Sequence, residues 1–127
     1  MRWMTWLAIA WTVLILVLCW TPPRHLPMPE RGPSFFHMIG GDKIIHGGIF
    51  AVFALLWRKA TSSASAPIIA ISGLALAVIT ELGQATSLVG RDGDLWDGIA
   101  DTTGVGVGLV FAAWIARCAT RPEPVQA

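Results

Sequence analysis

Long apolar segments occupy most of this chain and are separated by short polar ones. Residues 3–20 (WMTWLAIAWTVLILVLCW) contain no charged side chain, and further apolar runs follow at about 42–58, 67–89 and 95–116. A helix that crosses a hydrocarbon core of about 30 Å needs roughly 20 mostly apolar residues. The pattern therefore predicts an all-α fold, specifically an integral membrane bundle of four transmembrane helices.

The composition agrees with a single membrane domain over residues 1–127. Hydrophobic residues make up 54% of the chain and charged residues only 13%, so a soluble domain would lack polar surface. Four crossings with short loops use nearly the whole length, which leaves no room for a separate soluble enzyme domain. A net charge of +1 excludes the basic excess of a nucleic-acid binder.

The polar segments fit the same plan. Residues 21–34 carry five prolines and predict an exposed loop, because proline lacks the amide hydrogen that a helix needs. Residues 117–127 predict a short tail. The first apolar run is compatible with a signal peptide or with a first span, and we favour the span because no small-x-small cleavage motif follows it.

The Lys and Arg residues between the runs predict the orientation. With both termini in the cytoplasm, more of these side chains lie inside than outside, and the excess grows if Lys43 and Arg91 belong to a site. We therefore expect a multi-pass protein of the cytoplasmic membrane with N and C termini inside. The inside set is Arg2, Arg58, Lys59, Arg117 and Arg121, and the outside set is Arg24, Arg31, Lys43 and Arg91.

Ionisable residues within the apolar runs gather at one end of the predicted bundle. Successive spans run antiparallel, so the start of the second, the end of the third and the start of the fourth share one membrane face. At 1.5 Å per residue, Glu81 is expected about 10 Å inside the end of its helix. The polar residues at this face are Asp42, Lys43, His46, Glu81, Gln84, Arg91, Asp94, Asp97 and Asp101.

Helical spacing predicts that these carboxylates point into the bundle. They fall on the same stripes as small residues, which let helices approach closely and so mark the protein-facing sides. The stripe on the third helix is Ala70, Gly73, Ala77, Glu81 and Gln84, and that on the fourth is Asp97, Asp101, Gly104 and Gly108.

A charge at the bilayer centre costs on the order of 3 kcal/mol, so several charges require partners. Lys43 and Arg91 are the available cations, joined by His46 if it is protonated, and the acidic side chains are their counter-ions. We expect a mixed-charge cleft that opens to one side. The candidate ligand-binding residues are Asp42, Lys43, His46, Glu81, Gln84, Arg91, Asp97 and Asp101.

Catalytic residues stay open, with His46, Glu81 and Asp97 as the candidates for acid or base. We predict no metal site and no cofactor, because a ligand pair such as H-x-x-x-H is missing. Phe50, Phe53 and Trp57 follow a helical stripe and are expected to serve packing.

The polar residues form an ordered set of motifs over residues 42–108. D-K-x-x-H-x-x-x-F is followed by E-x-x-Q, then R-x-x-x-x-x-D and G-x-x-x-G, and this set resembles the VanZ-like family. The resemblance implies a small multi-helix membrane protein, in a family named for association with resistance to the glycopeptide teicoplanin. It implies no particular reaction. The family usually has Asn where this chain has Asp101, which adds a negative charge here.

Several functions are compatible with these residues. The first is a protein that binds or modifies an anionic cell-envelope or lipid-linked molecule, such as a cell-wall precursor or a glycopeptide-related ligand, through an outward-facing charged cleft. The second is an intramembrane enzyme acting on a lipid phosphate. The third is a proton-coupled transporter or accessory subunit. The fourth is a structural subunit whose charges only lock helices together. Membrane lipids are expected partners, and a homo-oligomer is an open alternative.

Overall fold

The computed structural model describes residues 2–21, 41–61, 65–86 and 95–119, and within these ranges every regular element is a helix. The all-α prediction is confirmed. The four helices are α1 (Arg2–Trp20), α2 (Gly41–Ala60), α3 (Ala66–Gln84) and α4 (Leu95–Ala119). The proline-rich loop from residue 22 onward and the tail beyond residue 119 lie outside the described residues.

Three of the helices, α1, α3 and α4, are long and apolar enough to cross a membrane. Helix α2 differs because charged residues lie near both of its ends, Asp42 and Lys43 at the start and Arg58 and Lys59 at the end. The stretch of α2 between Lys43 and Arg58 measures about 21 Å, which is shorter than a hydrocarbon core.

The ends of α3 and α4 differ from the predicted spans. Helix α3 begins as expected, with Ser65 in extended conformation as its N-cap and Pro67 in the first turn, where a missing amide hydrogen is harmless. It ends at Gln84 rather than near residue 89, and Glu81 therefore lies in its last turn, about 4.5 Å from the end instead of about 10 Å. Helix α4 continues to Ala119, three residues beyond the predicted span.

The two central helices of the bundle are α2 and α3. Within the described ranges each contacts all three other helices, whereas α1 and α4 contact only this central pair. The start of α2, the end of α3 and the start of α4 share one end of the bundle, which we call the polar end. The short apolar run in α2 is therefore surrounded by helices on several sides.

Helices α2 and α4 are parallel and meet through small residues. A Cβ atom added to Gly104 would lie 2.9 Å from the Cα of Gly47, and one added to Gly108 would lie 3.0 Å from the Cα of Ala51. Real Cβ atoms essentially never approach other atoms more closely than 3.0 Å. Such close backbones are the geometry that small residues permit between membrane helices.

Helix α1 packs against α2 through tryptophans. The Trp11 Nε1–H donates to the Ile49 carbonyl at 2.9 Å, and the Trp57 Nε1–H donates to Thr12 Oγ1 at 3.1 Å. Phe50 and Phe53 are buried beside them, with ring centroids 6.3 Å apart. The predicted packing role of this aromatic stripe is confirmed.

The exterior of the bundle is apolar on every helix. The large exposed side chains include Val13 and Val17 on α1, Ile71 and Leu82 on α3, and Val110 on α4. The fully buried set, by contrast, includes three polar side chains, Thr80, Gln84 and Asp101. A protein with an apolar exterior and polar groups inside matches a hydrocarbon environment.

Candidate functional site

The protein-facing stripes predicted for α3 and α4 are confirmed. On α3, Gly73, Ala77 and Gln84 are buried, and Ala70 and Glu81 are half-buried. The same holds for α4, where the buried residues are Asp101, Gly104 and Gly108 and the half-buried one is Asp97. Small residues and carboxylates therefore share one face of each helix.

An ion pair joins α2 to α4 at the polar end. Lys43 Nζ lies 2.6 Å from Asp97 Oδ1, so the ammonium donates a charge-assisted hydrogen bond to the carboxylate. Both residues occupy the first turn of their helices, and the parallel arrangement of α2 and α4 places these turns side by side. The side chain of Lys43 is 30% exposed, which keeps this pair at the edge of the bundle.

A second polar contact lies one turn deeper between the same helices. His46 Nδ1 is 3.1 Å from Asp101 Oδ1, and Asp101 is fully buried. When Nδ1–H donates to this carboxylate, Nε2 is the ring nitrogen that can take up a proton. Nε2 faces Asp97, whose Oδ2 lies 4.0 Å away. The imidazole therefore lies between two carboxylates of α4.

The four side chains in these contacts form a polar series, and each member from Lys43 to Asp101 is less exposed than the one before it. The exposed fraction of the side chains is 30% at Lys43, 15% at Asp97, 12% at His46 and 0% at Asp101. The i, i+3 spacing of Lys43 and His46 and the i, i+4 spacing of the two aspartates put each pair on one helical face. The polar series runs from the edge of the polar end into the interior of the bundle.

Helix α3 adds polar groups to this region from the other side of α4. A Cβ atom added to Gly98 would lie 3.8 Å from Glu81 Cγ, so Glu81 packs next to the turn that carries Asp97. Gln84 is buried to 2% exposure, and its Nε2 has no hydrogen-bond partner among the described residues, which is also true of Asp101 Oδ2. Buried polar atoms of this kind are rare in native structures, where a water molecule, an ion or another polar group commonly satisfies them.

The structure thus brings together Lys43, His46, Asp97 and Asp101 and places Glu81 beside them. Asp42 lies in the first turn of α2, but its side chain is outside the described part of the chain. Arg91 and Asp94 also lie outside the described residues. Within the described ranges, no group of three His, Cys, Asp or Glu residues is arranged to hold a metal ion.

Two structural positions at this end were missed by the sequence analysis. Gly47 is the α2 partner of Gly104, and its small-x-x-x-small spacing with Ala51 is a signal that could have identified it. Trp20, at the end of α1, has its indole ring directly against the backbone of Gly83. That contact joins sequence-distant helix ends and has no comparable sequence signal.

Chemically, this site offers a cation at its edge and a group that can transfer a proton inside it. Lys43 is a cation at the exposed edge, with its charge balanced by Asp97. His46, oriented by a buried carboxylate, has the arrangement of a general base or acid. A change of charge at Lys43 or Asp97 would reach the buried Asp101 through His46, which lies between the two aspartates.

A scan against protein-family models finds no match for this chain, and searches of curated proteins and of solved structures likewise find none.

Proposed function

We propose that this chain is a VanZ-like protein of the cytoplasmic membrane, with four spans, that binds an anionic cell-envelope or lipid-linked molecule at the polar end. The observation that carries the proposal is the polar series from Lys43 to Asp101, along which the exposed fraction of the side chains falls from 30% to 0%. An ionisable residue inside a membrane helix is costly, and is therefore a functional-site hypothesis by default.

The binding step is assigned to Lys43. Its ammonium lies at the 30% exposed edge of the bundle, and in this proposal an incoming phosphate or carboxylate shares the cation with Asp97. Arg91, four residues before Leu95 in the sequence, is the second proposed cation, since its guanidinium can bind a phosphate in bidentate fashion. Both lie outside the cytoplasm in the predicted orientation.

The fourth span in this proposal is α2. Its apolar stretch is too short by itself, yet it contacts all three other helices, and α4 supplies carboxylate partners for Lys43 and His46 in its first turns. Lys43 can extend its ammonium toward the interface from there, as long cationic side chains do near the ends of membrane helices.

Purification with bound lipid tests the proposal. The wild-type protein is extracted in a mild detergent, and co-purified anionic lipids and envelope precursors are quantified by mass spectrometry. Loss of a charge-assisted hydrogen bond is worth about 1.5–3 kcal/mol, so Lys43→Ala should bind the ligand about 10- to 150-fold more weakly. Lys59→Ala, an exposed lysine at the other end of α2, is the matched control and should retain the wild-type amount.

Lys43→Ala leaves Asp97 without its cation, so a neutral pair is needed as a second variant. Lys43→Gln combined with Asp97→Asn removes both charges and keeps side chains that can hydrogen-bond across the same gap. This double variant should accumulate normally and still lose the ligand. Equal ligand retention by wild type and both Lys43 variants would refute the binding proposal.

A second candidate function is acid–base chemistry on a lipid phosphate, which the His46 to Asp101 contact favours. A buried carboxylate on Nδ1 holds the ring in the tautomer that a general base requires. In this version His46→Gln would preserve ligand binding but abolish turnover of a bound lipid phosphate. If the bound molecule is recovered unchanged from wild type and variant alike, the acid–base function is excluded.

The structural alternative is favoured by a different observation, namely that both polar contacts join the same two helices, α2 and α4. If the charges only lock these helices, loss of ligand and loss of protein should occur together in every variant. The neutral double variant separates the two cases. It would be depleted from the membrane if locking is the sole function.

The contribution to glycopeptide resistance rests on the resemblance alone and is tested in cells. Expression of the wild type in a susceptible host should raise the inhibitory concentration of teicoplanin, and the neutral Lys43 and Asp97 double variant should not. Immunoblotting of the membrane fraction must show equal amounts of both proteins. An unchanged inhibitory concentration for the wild type would remove resistance from the proposal.

A further inference from the structure

A surface groove of about 350 Å³ follows the α2–α4 seam directly beneath the exposed cation of the site. We call it the seam groove. Lys43 lines its end nearest the helix starts, and small or apolar residues line the remainder. Those used below are Ile44, Gly48, Ala51, Thr103 and Val107.

The length of the seam groove corresponds to one membrane leaflet. From Lys43 to Ala51 the helix rises about 12 Å, and half of a hydrocarbon core measures about 15 Å. With α2 as the proposed fourth span, the groove begins at the depth of a lipid headgroup and ends near the middle of the membrane. A molecule that contacts Lys43 with a phosphate has its hydrocarbon part at the same depth as this groove.

The chemistry of the lining changes in the same direction. Among the described residues that line the groove, Lys43 is the only charged one, and it lies at one end. Below it the lining is apolar at Ile44, Gly48 and Val107, and the Thr103 hydroxyl donates within its own helix to the Ile99 carbonyl. A charged end followed by an apolar channel is complementary to an anionic amphiphile. An extended soluble anion would leave the channel unused.

We propose that the ligand of the site is an anionic membrane lipid whose headgroup meets Lys43 and one of whose acyl chains lies in the seam groove. This inference rests on the proposed function, because it names the ligand class of the same site. The groove fixes the position of the chain, and the ammonium selects the headgroup charge.

Two glycines provide a matched pair of variants. An added Cβ meets no atom within 4 Å at either Gly48 or Gly106, so the first carbon of a larger side chain has room at both positions. Unchanged Cys19 protection in each leucine variant would confirm that the bundle is intact. Gly48 lines the seam groove, whereas Gly106 is an exposed residue of α4 outside its lining. A leucine at the first position fills the channel, and one at the second does not.

The experiment is native mass spectrometry of the full-length protein in detergent, titrated with phosphatidylglycerol or phosphatidylcholine. Wild type and Gly106→Leu should bind phosphatidylglycerol in preference to phosphatidylcholine. A leucine side chain would occupy space that the acyl chain needs, so Gly48→Leu should bind phosphatidylglycerol on the order of tenfold more weakly. Lys43→Ala should lose the preference between the two lipids.

The possible outcomes separate this inference from the proposed function. If Lys43→Ala loses the anionic preference but Gly48→Leu binds like wild type, the groove assignment is wrong and the headgroup site stands. If neither variant differs from wild type in lipid binding, both the groove assignment and the headgroup site are refuted. Glycerol phosphate that binds as tightly as the whole lipid would show that the acyl chain contributes nothing.

A second copy of this chain is the other occupant that the titration can detect. Gly48→Leu would then convert a dimer into a monomer in the same spectra, while Gly106→Leu would leave the dimer intact. That result would overturn the lipid assignment. Unchanged oligomeric state together with weakened lipid binding in Gly48→Leu supports it.

Discussion

Replacement of Gly104 by alanine should destabilise the bundle far more than its single methyl group suggests. The new Cβ would lie 2.9 Å from the Cα of Gly47, with the carbonyl group of Gly47 closer still, and ordinary van der Waals contact begins near 3.4 Å. The obstacle is backbone, which cannot rotate away like a side chain. The backbones of α2 and α4 must therefore move apart by at least about 0.5 Å at this contact.

The magnitude follows from the packing that this separation removes. A gap of 0.5–1 Å forfeits roughly a quarter to a half of each dispersion contact, and overpacking of a well-packed interior costs about 1–3 kcal/mol. The matched control is Gly106→Ala, two residues along the same helix, where an added Cβ meets nothing within 4 Å. That variant should be neutral or gain up to about 1 kcal/mol from helix propensity.

The two cysteines supply the assay. Cys19 is buried at 3% exposure, whereas Cys118 is exposed, so maleimide labelling of Cys19 reports opening of the bundle and Cys118 normalises the reaction. A loss of 1–3 kcal/mol should raise the Cys19 labelling rate about 5- to 150-fold in Gly104→Ala. Equal labelling rates in Gly104→Ala and Gly106→Ala would refute the close-packed seam.

Three further predictions concern the site, the α1–α2 contact and the orientation. Asp101→Asn should keep the hydrogen bond from His46, so its free energy of unfolding should lie within about 1 kcal/mol of the wild-type value. Asp101→Ala should lower the free energy of unfolding by about 1–3 kcal/mol, measured by the same thiol labelling. Trp57→Phe removes the donor to Thr12 and should cost about 1 kcal/mol, and an unchanged labelling rate would contradict that bond. Cys118 should react with a membrane-impermeant maleimide in inside-out vesicles and not in intact cells. The opposite pattern would reverse the predicted orientation.

Much of this fold is predictable from sequence because hydrocarbon imposes a simple rule on helix length and exterior. The apolar runs locate all four helices, and the shared stripes of small residues and carboxylates identify the faces that turn inward. The end of α3 was placed too late for a physical reason. Residues 85–89 (ATSLV) contain no charge and remain compatible with a span, and composition does not register that the chain leaves the helix at Ala85 and Thr86.

The pairing within the site was not predictable to the same degree. Sequence spacing places Lys43 and His46 on one face of α2 and the two aspartates on one face of α4, but it does not say which pairs meet. The choice depends on the parallel contact of α2 with α4 and on the rotation of each helix, which the Gly47 and Gly104 backbones fix. The contact between Lys43 and Asp97 therefore follows from the close packing of α2 against α4 at Gly47 and Gly104.

The most direct test of the proposed site is an exchange of its outer ion pair. Lys43→Asp combined with Asp97→Lys preserves attraction between α2 and α4 but moves the cation from the 30% exposed position to the 15% exposed one. We expect the combined variant to recover wild-type Cys19 protection, which each single substitution loses, and yet to fail to bind phosphatidylglycerol in the native mass spectrometry titration. Recovery of wild-type lipid binding together with stability would contradict the account, because the charges would then serve only to hold the helices together.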